Sequence, residues 1–284
     1  MPTFTNQATL SYNNITTNSN VVTGQLLEVL SVTKTAVGDT YSAQEVVTYV
    51  VSILNTGTAA LNGLTVTDDL GGYVFEGNTV YPLTYENGSA TVFVNGVPQA
   101  APAVTAGPPL VVSGLNIPAG GDLVLVYQAR ANQFADPAAG GTIINTVTVT
   151  GDGITTPITA TETVTAASAP ELTVSKSISP TQVVDNDRVT YTFVIQNTGN
   201  EAVVATDNAV ITDTFDPILT DLVVTYDGAT WTEGVQYTYD AATGLFATLP
   251  GAITVPAATY TQDPVTGAYT LTPGIATLTV TGTI

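Results

Sequence analysis

The chain has 284 residues, with 23 acidic and 4 basic side chains and a formal net charge of −19 at pH 7. This charge disfavours nucleic acid and anionic membranes as partners. Because cysteine and histidine are both absent, disulfides, thiol nucleophiles, Ser-His-Asp triads and the usual zinc sites are excluded. We therefore expect no metal and no cofactor. We also expect no membrane insertion, because no apolar run is long enough to cross a bilayer.

Short alternating runs of apolar and polar residues, separated by Asn, Gly, Asp and Pro, predict an all-β chain. The first residues lack the basic and apolar regions of a signal peptide. We therefore expect either that a leader has been removed or that the protein leaves its cell by another route. Mother-cell lysis during sporulation would be one such route.

The first predicted strand lies at residues 3–12. Alternate residues of a strand project to the same face, which here carries Phe4, Asn6, Ala8, Leu10 and Tyr12. The segment aligns with a later strand at 143–150, with Asn6 at the position of Asn145. We therefore interpret residues 1–27 as an N-terminal donor strand and extension, equivalent to the end of a preceding repeat.

Two copies of one repeat follow, predicted at 28–169 and 170–284. The same 21-residue spacing separates Lys34 from Asn55 and Lys176 from Asn197. Further corresponding segments are Val66-Thr67-Asp68 with Ile211-Thr212-Asp213, and Ile117-Pro118-Ala119 with Val255-Pro256-Ala257. Past these segments only copy one continues into a last strand, so we predict that copy two lacks that strand and presents an open acceptor groove.

The period-two pattern places several polar residues on the apolar faces of the predicted strands. They are Lys34, Asp68 and Asn145 in copy one, Lys176 and Asp213 in copy two, and Asn6 in the N-terminal segment. Burying such groups is costly unless they are paired. The pattern therefore predicts one polar site in each copy.

The order Lys, Tyr, Asn-Thr-Gly, Thr-Asp, Pro-Ala-Gly, Asn-Thr-Val-Thr-Val resembles a tandem repeat of bacterial surface proteins whose function is unknown. The matching residues are Lys34, Tyr49, Asn55-Thr56-Gly57, Thr67-Asp68, Pro118-Ala119-Gly120 and Asn145–Val149. The resemblance implies immunoglobulin-like β-sandwiches, which agrees with the short alternating strands. The expected fold is all-β, with two tandem sandwiches, the second lacking its last strand, and an N-terminal donor strand.

A buried Lys, Asp and Asn are also the trio of the isopeptide-forming surface domains of Gram-positive bacteria, which this chain resembles. That resemblance implies a bond from Lys34 to Asn145 assisted by Asp68. It also implies a bond between subunits, from Lys176, assisted by Asp213, to Asn6 of the next subunit. In this chemistry a neutral amine attacks the amide, a protonated acid polarises the carbonyl, and ammonia leaves.

Two alternatives remain at this point. The lysines and aspartates could form plain ion pairs, with Asn6 and Asn145 hydrogen-bonded to the backbone. Asn55 and Asn197 are competing acceptors, but each precedes Thr-Gly, which is typical of a turn.

Together these patterns predict a structural subunit of an extracellular or spore-surface filament. It would polymerise head to tail by donor-strand complementation, with Phe4, Ala8, Leu10 and Tyr12 as anchors. The expected partners are other copies of the chain, and the sequence does not identify an anchor or tip protein. Apart from autocatalytic bond formation, we expect no enzymatic activity.

A monomeric surface adhesin or ligand-binding module is the alternative function. Its binding loops would be the variable stretches 71–108 and 226–273. The second stretch holds the only tryptophan, Trp231, for which we expect a packing role. The run 185–187, Asp-Asn-Asp, lacks the spacing of a calcium loop and predicts a turn.

Overall fold

The computed structural model describes residues 3–25 and 29–284. The remaining residues of the predicted extension 1–27 therefore lie outside the described part. Within it the chain is built from β-strands and one short 3-10 helix, Ala205–Asp207. The described residues form no helix that is long and apolar enough to cross a membrane.

The N-terminal segment forms a separate hairpin of four short strands: β1 (Thr3–Asn6), β2 (Thr9–Tyr12), β3 (Ile15–Asn18) and β4 (Val22–Gln25). Strand β2 pairs with β3, and β1 pairs with β4. Asn13 and Asn14 form the turn with φ angles of 44° and 64°, as a tight hairpin turn requires. The predicted lone strand at 3–12 thus folds back on the residues that follow it.

Copy one is a complete two-sheet sandwich. Its strands are β5 (Leu30–Ala36), β6 (Thr40–Tyr41), β7 (Val46–Asn55), β8 (Leu61–Asp68), β9 (Tyr73–Phe75), β10 (Asn78–Val80), β11 (Leu83–Tyr85), β12 (Thr91–Val94), β13 (Val97–Pro98), β14 (Ala103–Thr105), β15 (Leu110–Ile117), β16 (Asp122–Ala131), β17 (Thr142–Thr150) and β18 (Ile158–Ala166). One sheet has the order β13-β12-β16-β7-β5, and the other has the order β14-β15-β8-β17-β18-β6. The inward side chains of both sheets form one hydrophobic core, as in other β-sandwiches.

Copy two repeats only part of this arrangement. Its strands are β19 (Leu172–Ser179), β20 (Arg188–Asn197), β21 (Thr212–Thr214), β22 (Thr220–Tyr226), β23 (Ala229–Thr230), β24 (Tyr237–Asp240), β25 (Leu245–Thr248), β26 (Thr259–Gln262), β27 (Tyr269–Thr272) and β28 (Gly274–Thr283). The main sheet has the order β19-β20-β28-β22-β23 and faces a smaller sheet, β21-β25-β24, across a second core.

The two sandwiches confirm the predicted all-β fold class. The structure also extends that prediction. In copy one β17 pairs with β8 on one side and with β18 on the other. Among the described residues, neither β17 nor β18 has a counterpart in copy two, so the two copies differ by a two-stranded hairpin.

Candidate functional site

The predicted lysine and aspartate of copy one meet in the sandwich core. Lys34 lies on β5 and is 4% exposed, and Asp68 at the end of β8 is 1% exposed. The Lys34 Nζ donates to Asp68 Oδ2 at 2.7 Å. The rings of Tyr49 and Tyr127 flank the ammonium, with their centroids 4.8 Å and 6.0 Å from Nζ. Both charged residues thus lie on the apolar faces, as predicted, and there they form a buried ion pair.

Three donors hold the Asp68 carboxylate. The backbone N–H of Leu70 donates to Oδ1 at 2.8 Å, while Oδ2 accepts from both Lys34 and the hydroxyl of Tyr127. Burial lowers the pKa of Lys34, and the negative charge of Asp68 opposes that effect. The arrangement favours a lysine that can surrender its proton to the adjacent carboxylate, because a buried amine is better tolerated when neutral.

Asn145 is the unusual member of the site. Its side chain is fully buried on β17, yet neither the amide nitrogen nor the amide oxygen has a regular hydrogen-bond partner. The buried hydroxyl of Tyr49 is equally without a partner. A buried polar group left in this state costs about 1–3 kcal/mol. The structure therefore does not support the alternative in which Asn145 is held by the backbone.

Strand register brings Asn145 to the same site. Val147, two residues further along β17, is paired with Asp68, and residues two apart project from the same face of a strand. Burial raises the pKa of the Tyr49 and Tyr127 phenols, and the Asn145 amide opposes this effect on both. Lys34, Asp68 and Asn145 are therefore gathered around one pair of stacked tyrosines, whose centroids are 5.6 Å apart.

Copy two carries the same ion pair in a different environment. Lys176 Nζ contacts Asp213 Oδ2, but their side chains are 39% and 18% exposed. The rings of Tyr191, Phe193 and Phe215 lie 4.6 to 5.5 Å from the ammonium. Aromatic rings thus lie against one side of the Lys176 ammonium, while the side chain remains partly open to solvent.

The greater exposure of Lys176 and Asp213 goes with a difference in strand pairing. In copy one Asp68 is paired with Leu110 of β15 on one side and with Val147 of β17 on the other. In copy two Asp213 is paired with Phe246 of β25, and the described residues provide no strand for its second side. Strand β18 packs against β5, whereas all eight residues of β19 are exposed.

The predicted donor residues lie on the surface of the N-terminal hairpin. Phe4, Leu10 and Tyr12 are 60%, 62% and 54% exposed, and Asn6 and Ala8 are exposed as well. In the described residues, the hairpin strands pair only with each other. The structure therefore does not bring Asn6 to Lys176 within one chain.

The competing asparagines are turn residues, as expected. Asn55 Nδ2 donates to the carbonyls of Ala59 and Pro118, and its Oδ1 accepts from the N–H of Gly57. Asn197 makes the equivalent contacts with Glu201, Pro256 and Gly199. Because their amides are fully hydrogen-bonded, neither is a candidate acceptor for a lysine.

Trp231 and the run 185–187, which the sequence analysis also considered, have structural roles. Trp231 stacks on Tyr226 with centroids 4.8 Å apart and packs against the core of copy two. Asn186 has a φ of 70°, and the flanking Asp187 accepts from the N–H of Val184, so the run 185–187 is a turn. No cluster of three potential metal ligands occurs in the described part of the chain.

Sequence reasoning missed Tyr127, which touches Asp68. Tyr127 alternates with Leu123 and Leu125 along β16, all of them buried. This alternation predicts an inward side chain. It does not predict the hydrogen bond, because β16 and β8 belong to opposite sheets and only the packed sandwich brings them together.

No family model matches the sequence, and no curated protein matches it. The predicted surface-repeat motif therefore stays a prediction. Among solved structures, the chain is similar to BcpA, the major pilin subunit of Bacillus cereus, at 11% identity and a TM-score of 0.37. That match covers 96% of this chain and 73% of BcpA.

Two further solved structures show a comparable likeness. The pilus backbone RrgB of Streptococcus pneumoniae is 12% identical with a TM-score of 0.34, and the match covers 86% of this chain and 55% of RrgB. The collagen adhesin CNA of S. aureus is 13% identical with a TM-score of 0.32, covering 56% of this chain and 55% of CNA. The chain thus spans about half the length of these two proteins, and likenesses this distant do not bear on function.

Proposed function

We propose that the protein is a structural subunit of an extracellular or spore-surface filament. Copy two of each subunit accepts the N-terminal hairpin of the next subunit. The observation that carries this proposal is the uncovered Lys176–Asp213 face, at the place where copy one has the β17–β18 hairpin. The proposal includes no reaction on an external substrate.

The sequence register of the N-terminal hairpin fits this face. With Asn6 at the position of Asn145, Phe4 and Ala8 take the positions of Ile143 and Val147, which are buried in copy one. Leu10 takes the position of Val149 in the same way. The exposed side chains of the hairpin would therefore fill the part of the core that copy two lacks.

The donated unit is the whole hairpin rather than a lone strand. In copy one β17 completes the sheet and β18 covers β5. By analogy β1 and β2 would pair with β21, while β3 and β4 would cover β19. This second contact would bury Leu172, Val174 and Ile178, which are 41%, 60% and 39% exposed in the free subunit.

The energetics favour association. Each large apolar side chain that becomes buried contributes about 1.5–3 kcal/mol, and each new ladder hydrogen bond adds about 0.5–1.5 kcal/mol net. The hairpin is already folded, so less conformational entropy is lost on binding. Because the contact is head to tail and does not close on itself, it generates an open filament.

Covalent Lys–Asn bonds would reinforce both copy one and the joint between subunits. In copy one Lys34 and Asn145 form an amide with loss of ammonia, assisted by Asp68. The buried pair and the unpartnered asparagine support this bond. In the filament Lys176 and Asp213 would meet Asn6 of the partner subunit, once the inserted hairpin has removed water from the face.

Two measurements test the filament. Deleting residues 3–25 should leave monomers in negative-stain images and in sedimentation, whereas the intact chain forms filaments. Filaments that persist after the deletion would contradict donation of the hairpin. An intact chain that stays monomeric would favour the adhesin alternative.

Covalent reinforcement is tested separately. Intact mass of the monomer should fall short of the sequence mass by one ammonia, and a monomer at full mass would contradict the bond in copy one. Boiled filaments should give a ladder of multimers. Asn6→Ala should abolish the ladder, while the matched control Asn18→Ala, on β3 of the same hairpin, should keep it.

A further inference from the structure

We propose that Tyr49 is a catalytic residue of the bond-forming reaction, its hydroxyl donating a hydrogen bond to the oxygen of the tetrahedral intermediate formed on Asn145. Tyr191 has the same role at the joint between subunits. The inference deepens the proposed function and rests on it.

The fold places Tyr49 at the centre of the site. It lies on β7, paired with Ala36 of β5 on one side and with Tyr127 of β16 on the other. Its ring centroid is 4.8 Å from Lys34 Nζ. The side chain is fully buried, so its hydroxyl cannot reach water, and it has no hydrogen-bond partner in the described structure.

Three buried polar atoms without partners are concentrated at this point: the hydroxyl oxygen of Tyr49 and both amide atoms of Asn145. Buried polar groups are nearly always paired, so each exception calls for an explanation. The reaction accounts for all three. The amide nitrogen leaves as ammonia, and the amide oxygen becomes an oxyanion and then the acceptor for Tyr49.

The bond changes balance without any other reactant. The neutral Lys34 amine attacks Cγ of Asn145, a C–N bond forms, and the carbonyl electron pair moves onto Oδ1. Asp68, which holds the proton that Lys34 has given up, delivers it to Nδ2 and in turn takes a proton from the attacking nitrogen. The C–Nδ2 bond breaks, the carbonyl re-forms, and a primary amide and an amine have become a secondary amide and ammonia.

A donor aimed at the developing oxyanion stabilises such a transition state most when it is fixed beforehand and shielded from water. Tyr49 meets both conditions, because its ring is stacked on Tyr127 and its hydroxyl is buried. Burial raises the pKa of Tyr49. The phenol therefore stays protonated and remains a hydrogen-bond donor.

The two tyrosines of the site have different roles. The hydroxyl of Tyr127 is engaged by Asp68, so it is a positioning residue for the acid. In copy two Val280 occupies the register position of Tyr127, opposite Tyr191 on β20. The tyrosine that both copies retain is therefore the one that the reaction needs in both. The Tyr191 ring centroid lies 4.6 Å from Lys176 Nζ.

A purely structural role for Tyr49 makes a different prediction. If the ring served only to pack, phenylalanine would replace it without loss, because the hydroxyl has no partner to lose. If the hydroxyl serves the reaction, the same substitution slows bond formation while folding is unaffected. The Tyr49→Phe variant therefore separates the two roles.

The test follows ammonia loss by time-resolved intact mass after cell-free synthesis. Tyr49→Phe should slow the loss about 100-fold, as expected for removal of one oxyanion donor. The matched control is Tyr41→Phe, which removes another buried hydroxyl of copy one, bonded to the Asp136 carbonyl, and should leave the rate unchanged. Equal rates for Tyr49→Phe and the wild type would overturn the role of Tyr49 but leave the proposed bond standing.

Further variants keep the outcomes distinct. A wild-type monomer that retains its full mass would overturn the bond and, with it, the role of Tyr49. Thermal melting in an Asn145→Ala background shows whether Tyr49→Phe folds normally without the cross-link. Tyr191→Phe should leave filaments intact in images but delay the boiling-resistant ladder, and an undelayed ladder would overturn its role between subunits.

Discussion

Copies one and two carry the same lysine–aspartate pair in opposite environments. The side chains of Lys34 and Asp68 are buried in the core of copy one. Those of Lys176 and Asp213 are 39% and 18% exposed. Both lysines lie on the first strand of their copy, and both touch an aspartate on the facing sheet. The difference is one hairpin, β17–β18, which is present in copy one and has no counterpart in the described part of copy two.

This comparison shows that the same two residue types form a buried pair in one copy and a partly exposed pair in the other, according to what covers them. Burial lowers the pKa of Lys34, and the covering strand β17 carries Asn145 on the face that it turns to the core. Without that cover, water reaches Lys176, and an exposed ion pair contributes little to stability. In the proposed filament, assembly supplies both the cover and the acceptor, so the joint would become reactive only after docking.

The largest expected effect concerns the cross-link of copy one. Asn145→Ala should give a monomer at its full sequence mass. The free energy of unfolding of copy one should fall by about 4–5 kcal/mol, because the bond closes a loop of roughly 110 residues in the unfolded chain. Chemical denaturation of variant and wild type measures the difference, and equal stabilities would contradict a bond between β5 and β17.

The next largest effect distinguishes the two ion pairs directly. In the Asn145→Ala background, Asp68→Ala should lower the stability of copy one by about 3–5 kcal/mol, because it leaves Lys34 buried and unpaired. Asp213→Ala in the monomer should cost no more than about 1 kcal/mol, since Lys176 is partly solvated. Denaturation followed separately for each copy provides the measurement. Similar losses for both variants would mean that the two environments do not differ in solution.

A smaller effect is expected for the apolar residues beside the lysines. Val32 packs against the core of copy one, so Val32→Lys should cost about 1–3 kcal/mol. Val174 is 60% exposed, and Val174→Lys should change monomer stability by less than about 0.5 kcal/mol. It should nevertheless block filament formation, because the docked hairpin would cover it. Normal filaments of Val174→Lys would argue against β3 and β4 lying on β19.

The smallest effect is a pH dependence. The folded-state pKa of Lys34 lies below the ordinary value of 10.5, so the unfolded chain binds the extra proton over the interval between them. The contribution of Lys34 to the stability of the unreacted copy should therefore rise with pH from its folded-state pKa towards 10.5. Denaturation of Asn145→Ala across this range shows the rise, and adding Lys34→Met should remove it.

Much of the site could be predicted from the sequence because strand periodicity is local. Alternation along a strand shows which side Lys34, Asp68 and Asn145 face. The shared 21-residue spacing to Asn55 and Asn197 shows that Lys176 corresponds to Lys34 in the repeat. The turn roles of Asn55 and Asn197 follow from the Thr-Gly that comes after each. These signals depend only on neighbouring residues in the chain.

Burial was decided by the tertiary structure. Lys34 and Lys176 have the same sequence signal, and only the presence or absence of a covering hairpin separates them. The hairpin formed by residues 3–25, the hydrogen bond from Tyr127 to Asp68 and the unpartnered amide of Asn145 all depend on contacts between distant strands. Sequence alone determined the side from which each group projects. The packing of the sheets determined what meets it there, because burial is a property of everything placed over a face.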